Sequence, residues 1–575
     1  MIITTIIDKM VEIVQKNKKM DFKKIAKELS WDEESVEKIA LLFHKAGLGM
    51  VHYPVNMVEQ PWITILSTVP PESKHEEGKK VDEYVVPATG NHTSESVWIL
   101  QSESERRPLY SIRRPRVSPY TRVYIEYLKT DIAKDLPIET SFSEEGATEK
   151  FHLRREMIKE RIKKDLNPKA DFLELISDLI VNEMYGLGEL ELLIGDARLE
   201  EIVVNTANLP VAVYHKRYGW MRTNIHLKTE ESTRNYAEQI ARKVGRQISM
   251  LNPILDAHLA NGDRVNATLF PVSAHGNTIT MRLFAKNPWT IVSYLKKENN
   301  SMSVEMAALL WQAMQYEMNV LIAGGTASGK TSALNGLISL IQPFQRIVTI
   351  EDTRELMLPT YQWNWVPLVT RLPNPEGAGE VTMLDLVVNA LRMRPDRIVM
   401  GEIRRKREAE VLFEAMHTGH SVYSTIHADT GSQVIKRLVE PPIEVPASEV
   451  EDISLLVVQY RDRRKNVRRT LEVSEIVTTD GNPEVSKTYI WRPRGDNFQL
   501  VKPPHRYIEQ MNIHTGMTER EVDEDQKSKR MVLEWMVKNK LENIEDIGRV
   551  MKSYYADEPG FIKIVSTNAP PSKVL

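Results

Sequence analysis

The stretch Asn319-Val320-Leu321-Ile322-Ala323-Gly324-Gly325-Thr326-Ala327-Ser328-Gly329-Lys330-Thr331-Ser332 decides the fold of this 575-residue chain. Its first five residues read as a buried parallel strand, and the run from Thr331 to Ile338 opens a helix. Between them, Gly324 to Thr331 fit the pattern Gly, four residues, Gly-Lys-Thr. A strand, a glycine-rich turn and a helix N-terminus make an anion site, because free backbone N–H groups and the helix dipole point at one spot. Gly324, Gly325, Thr326, Ala327, Ser328, Gly329, Lys330, Thr331 and Ser332 are therefore the candidate contacts to a nucleoside triphosphate, with ATP the expected one. Gly324 and Gly329 let the backbone curl close to the phosphates. Lys330 would reach the β/γ oxygens, and the Thr331 hydroxyl would hold Mg²⁺.

Composition narrows the rest. Hydrophobic residues are 42% and charged residues 27% of the chain, an ordinary globular balance. A net charge of −3 offers no argument for nucleic acid or acidic lipid as a partner of the whole molecule. The absence of cysteine excludes disulfides, thiolate catalysis and cysteine zinc sites together. No apolar run approaches the length of a membrane span, and the start Met1-Ile2-Ile3-Thr4-Thr5 lacks the layout of a signal peptide. The expected location is cytoplasmic, or peripheral to a membrane through a partner.

Several domains are expected on length alone. Residues 1–58 read as a winged-helix-like domain, with Ile25, Ala26, Leu29, Val36, Ile39, Ala40 and Phe43 at helical spacing and a wing strand at Met50-Val51-His52-Tyr53. Residues 59–164 read as an irregular linker and helical region, and 165–290 as an α+β domain. Residues 291–515 alternate strands and helices, as a parallel sheet requires, and 516–575 form a last helical segment.

Cleavage of a triphosphate needs a magnesium ligand set, a group that orients water, and positive charge. The strand Arg346-Ile347-Val348-Thr349-Ile350 ends in Glu351, placed to polarise the water, although solvated loop acids have the same look. Arg397-Ile398-Val399-Met400-Gly401-Glu402 is a Walker B arrangement in which Glu402 would hold magnesium through water. His420 and His427 flank another strand. A structural histidine at a strand end is one reading of each, and a γ-phosphate sensor is the preferred role for His427. Arg264 and Arg282 lie on strands of the preceding domain, where an exposed arginine is either solvated or a finger.

Together these motifs resemble the type II/IV secretion ATPase superfamily over roughly residues 165–480. The resemblance includes the phosphate loop, an Asp box (Ile350-Glu351-Asp352-Thr353-Arg354-Glu355-Leu356), the Walker B segment through Gly401-Glu402-Ile403-Arg404, and a His box from Thr418-Gly419-His420 to Ser424-Thr425-Ile426-His427. It implies an α/β fold, namely a RecA-like P-loop ATPase core with a preceding α+β domain and the N-terminal winged-helix-like domain. It further implies that Arg264 and Arg282 reach the phosphates as the α+β domain swings. Glu351, Glu402, His420 and His427 inherit family roles, with Thr331 and Glu402 at the metal. The implied partners are further copies in a homo-hexamer, a polytopic membrane platform protein and, indirectly, pilin-like subunits. The implied place is the inner face of the cell membrane. The Asp box phrase and the tail helix around Trp535 look most like members that assemble archaeal pili or the archaellum.

The rival from another class is a nucleic-acid translocase on the same core. It would use the N-terminal domain and the basic run Arg461, Arg463, Arg464, Lys465, Arg468 and Arg469, whose plainer reading is a solvated β-hairpin tip. A nucleotide-gated scaffold that does not hydrolyse is a third reading, disfavoured by intact Glu351, Glu402 and Lys330.

Overall fold

The computed structural model describes residues 2–3, 5–54, 60–66, 78–87, 94–102, 107–113, 116–135, 147–166, 170–227, 229–259, 261–284, 287–373, 377–462, 464–465 and 467–573. The chain divides into two compact units, Met1–Leu283 and Phe284–Leu575.

In the first unit, helices Ile6–Asn17, Phe22–Leu29 and Glu33–Lys45 pack with a small antiparallel sheet of Met20–Asp21, Trp62–Ile65 and Gly49–His52. The turn between the second and third helices is chemically specified. Ser30 adopts a left-handed φ of 52°, and the Asp32 carboxylate accepts the Ser35 N–H as N-cap. Ile25, Val36, Ile39 and Phe43 then bury one face of each helix.

A nine-stranded sheet forms the other part of this unit, in the order Ile254–His258, Arg264–Thr268, Thr278–Arg282, Leu199–Val204, Pro210–His215, Gly219–His226, Leu109–Arg113, Glu95–Gln101, Lys79–Val86. Its last three strands fall in the part of 59–164 read as irregular linker, while Pro119–Asp135 and Ala147–Leu166 form the helices expected after it. Tyr84 and Val86, and Val97 and Ile99, are buried at alternate positions, while Leu109, Tyr110, Ser111 and Ile112 are all buried in the strand that joins this hairpin to Gly219–His226. Their alternation is short and flanked by polar, proline-bearing sequence. Pairing with distant strands is what makes it legible.

The second unit is built on a sheet in the order Trp365–Val369, Ile347–Glu351, Arg397–Met400, Ser421–Ile426, Val320–Gly324, Leu455–Asp462, Val467–Thr479, Asn482–Arg492, Asn497–Leu500. The first six are parallel, and the last three continue antiparallel. All residues of Val320–Gly324, Ile347–Glu351 and Ser421–Ile426 are buried, as the unbroken apolar runs of a sheet covered on both faces require. The Ser421–Ile426 strand lies between the phosphate-loop strand and the strand leading to Glu402. This interposed strand is the RecA-like arrangement. Because the strands are parallel, Gly324, Glu351, Glu402 and His427 emerge at one end of the sheet.

The C-terminal helices are part of this unit's core. Val532, Leu533, Trp535 and Met536 of helix Glu519–Lys538 pack in one cluster with Trp311 of helix Val304–Gln315. The fully buried Lys529 ammonium is matched by Asp525. Among the described residues no helix is long and apolar enough to cross a membrane.

Candidate nucleotide site

The phosphate loop connects Val320–Gly324 to helix Lys330–Ile338. Gly324 is required by contact: a Cβ there would clash with Ser328 Oγ and stand 2.5 Å from the Gln459 carbonyl oxygen. Gly329 caps the helix at φ 95°, and Ala327 carries a left-handed φ of 60° without being glycine. The buried Ser328 hydroxyl has no hydrogen-bond partner. A curled backbone at a helix N-terminus with an orphaned hydroxyl inside it suits an anionic phosphate chain.

Lys330 is 8% exposed, and burial pulls its ammonium pKa down while Glu402, Glu355 and Asp429 oppose that pull. Its Nζ lies 3.2 Å from His427 Nδ1 and 3.4 Å from the Gly325 carbonyl oxygen. His427 Nε2 in turn lies 3.4 Å from Glu402 Oε1. Burial first, and the Lys330 charge second, lower the His427 pKa, so its ring accepts from the ammonium in neutral form. Glu402 Oε2 accepts from Arg404 Nη2 at 3.1 Å, and Arg404 Nη1 donates to Asp352. The result is a continuous chain from loop lysine to histidine, Walker B carboxylate, arginine and Asp box.

A family model described as type II/IV secretion system protein matches residues 183–465. An uncharacterised protein of Methanocaldococcus jannaschii is 32% identical over 388 residues, covering 66% of this chain and 69% of that protein. The chain belongs to the type II/IV secretion system protein family. The type IV secretion system protein PtlH of Bordetella pertussis is 30% identical over 47% of this chain and 88% of its own length. The solved Legionella pneumophila ATPase DotB shares 20% identity over 66% of this chain and 94% of that one, with a TM-score of 0.36. As a member of the type II/IV secretion family with an intact phosphate loop on a RecA-like core, the protein is an ATPase.

The other expected residues fall in different places. Glu351 is 2% exposed, and its Oε1 accepts the N–H groups of Glu355 and Leu356, so it locks the Asp box turn from inside. Its Oε2 is buried without a partner, and burial pushes its pKa up to about 7. Glu402 is the carboxylate that the structure brings to Lys330 and His427. His420, expected to contribute to nucleotide binding by the His box resemblance, does not adjoin His427 within the subunit. His420 precedes strand Ser421–Ile426 and His427 follows it, so the two lie at opposite ends of the sheet, roughly 20 Å apart at the rise of a strand. His420 Nδ1 instead meets the Thr418 hydroxyl at 3.1 Å. Arg264 and Arg282 sit on neighbouring strands of the first unit, in direct register.

Three residues near the loop escaped motif reading. The Asp429 carboxylate would stand 2.6 Å from a Cβ at Gly325. The Tyr294 hydroxyl donates to the Gly329 carbonyl at 3.3 Å. Arg468 Nε donates to the Ala327 carbonyl at 3.2 Å. Only the last had a signal, the basic run, and its spacing pointed to solvent. Arg463 of that run lies outside the described residues.

Proposed function

We propose that the chain is an ATP-hydrolysing motor that works as a homo-hexamer at the inner face of the cell membrane. Through a polytopic membrane platform protein it powers assembly of type IV pilus-like filaments, or secretion, and so acts indirectly on pilin-like subunits. The observation that carries this reading is the Lys330–His427–Glu402 chain at the mouth of the phosphate loop.

Lys330 binds the phosphates, and its departure from His427 frees that ring to register the nucleotide. Mg²⁺ suits the donor set of the Thr331 hydroxyl and the Glu402 carboxylate, a pair of hard oxygens, and the unpartnered Glu351 Oε2 is a further one. Bound there, the ion supplies positive charge to the phosphate oxygens. Glu351 holds the Asp box turn, and the Asp352–Arg404 pair ties that turn to Glu402. Arg264 and Arg282 serve the site of a neighbouring subunit, so closure at one interface strains the next. The Asp box phrase Ile350–Leu356 and the tail helix around Trp535 support placing the motor, in this reading, among the archaeal pilus and archaellum type.

Phosphate release by the purified chain tests the core of this reading. Lys330→Ala should abolish it, and turnover at the wild-type rate in that variant would sink the assignment. The nucleic-acid translocase finds less support, because two arginines of its proposed DNA patch are engaged elsewhere. Arg469 pairs with Asp496 at 2.7 Å and is 6% exposed, and Arg468 lies on the loop. DNA-stimulated, salt-dependent hydrolysis would favour it instead.

A further inference from the structure

The basic run between the two central antiparallel strands has a use that its charge count does not suggest. Arg468 lies on strand Val467–Thr479, one strand removed from the phosphate-loop strand across Leu455–Asp462. Its Cδ would stand 3.5 Å from a Cβ at Gly329, so the aliphatic stem runs over the turn that begins the phosphate-binding helix. Its Nε donates to the carbonyl of Ala327, the loop residue held at φ 60°. Among the described residues, its two terminal amino groups have no hydrogen-bond partner.

The strand that presents Arg468 is fixed by its neighbours. The Ser301 hydroxyl donates to the Arg468 carbonyl at 3.1 Å, and the Thr470 N–H donates to the Ser301 carbonyl at 2.7 Å. Arg469 turns away from the loop and binds both oxygens of Asp496, at 2.7 Å each. That guanidinium holds the Asp496 carboxyl well below the usual carboxylate range. The alternation of a strand therefore sends one arginine into a structural ion pair and the next onto the loop. By contrast, the Arg464 side chain near the hairpin tip is 94% exposed.

We infer that Arg468 is a nucleotide-binding residue supplied from within the same subunit. Its Nε braces the outer face of the phosphate loop, and its terminal amino groups bind the anionic phosphate chain of the nucleotide seated there. This rests on the reading of the loop as a nucleotide site. A guanidinium suits the task because its donors form a fixed fork, so one N–H can stay on Ala327 while the others meet phosphate oxygens.

The test is ADP titration of the full purified chain by calorimetry, with melting of the ligand-free chain followed alongside. Arg468→Gln keeps a side-chain N–H donor and loses the charge. It should weaken ADP binding about tenfold, the usual worth of one charge-assisted hydrogen bond, while the ligand-free melting temperature stays put. If that variant melts low, Arg468→Met, which restores the stem over Gly329, carries the same expectation. Arg464→Gln should bind as the wild type does. Wild-type affinity in Arg468→Gln overturns the inference, and so does an equal loss in Arg464→Gln, which would indicate diffuse charge. Failure of the wild-type chain to bind ADP at all overturns the nucleotide reading itself, and this inference with it.

Discussion

Arg264 and Arg282 are direct cross-strand partners on adjacent antiparallel strands, both exposed and both on one face of the sheet. Like charges directly opposite one another cost stability, roughly 0.2–1 kcal/mol. Arg264 is partly compensated by Asp256, at 2.8 Å, and Arg282 is registered against Glu201. Two guanidinium groups presented side by side to solvent suit an anion that arrives from outside.

Removing either arginine should therefore cost activity without costing stability. In the proposed motor, Arg264→Ala or Arg282→Ala should lower kcat for ATP by about 10³-fold, the smaller end of what arginine fingers contribute. The melting temperature should stay level or rise slightly. Unchanged turnover in both variants would remove the fingers from the mechanism.

The two glutamates should separate by pH. Glu351 has an ordinary carboxylate value of 4.5 and is raised to about 7 when folded. Between those values the folded chain keeps a proton that the unfolded chain has released. The stability from neutral Glu351 is thus full below about pH 4.5 and lost as pH rises through about 7. Glu351→Gln stays neutral throughout. Relative to wild type it should gain on the order of 3 kcal/mol between pH 5 and pH 8, read from denaturant unfolding of the ligand-free chain. A pH-independent difference would contradict the burial argument.

Glu402→Gln should behave otherwise. Its carboxylate meets His427 and Arg404 rather than a buried turn, so stability should change little. Turnover should fall by about 10²–10⁴-fold, as expected for loss of a group acting on the reacting water or its metal. Steady-state phosphate release at saturating ATP measures it.

Gly324→Ala should destabilise the second unit by about 2–3 kcal/mol. The clash at 2.5 Å is with the Gln459 backbone carbonyl, which cannot rotate aside as Ser328 Oγ can. Thermal melting checks this, and a variant as stable as wild type would mean that the loop is looser than its contacts indicate.

Truncation after Thr515 should unfold the second unit rather than trim it. Val532, Leu533, Met536, Ile547, Val550 and Tyr554 are all fully buried in the cluster that holds Trp311. At about 1.5–3 kcal/mol for each side chain, their burial is comparable to the whole 5–15 kcal/mol stability of a typical domain. Soluble, cooperatively melting protein from that truncation would refute the shared core.

Much of the site was legible because its signals are local. Glycine at a left-handed turn, a lysine at the first turn of a helix, and an acid ending an apolar strand each follow from residues adjacent in the chain. His427 and Glu402 were legible for the same reason, since both end buried strands. His420 and His427 were legible as flanking one strand, which puts them at its opposite ends, so membership of one motif does not by itself put both at the loop. Glu351 was legible as an acid that ends a buried strand, but its turn-locking contacts depend on how the chain folds back through Glu355 and Leu356.

A phosphate loop on a parallel α/β sheet, with carboxylates and a histidine at the ends of its strands, can be read from the order of residues alone. Backbone propensity and apolar runs specify such elements one at a time. That Arg264 faces Arg282, that Lys79–Val86, Glu95–Gln101 and Leu109–Arg113 join a larger sheet, and that Arg468 crosses onto the loop emerge from the folded chain. Each of these depends on register between strands far apart in sequence. A shift of one residue would turn every one of those side chains to the other face.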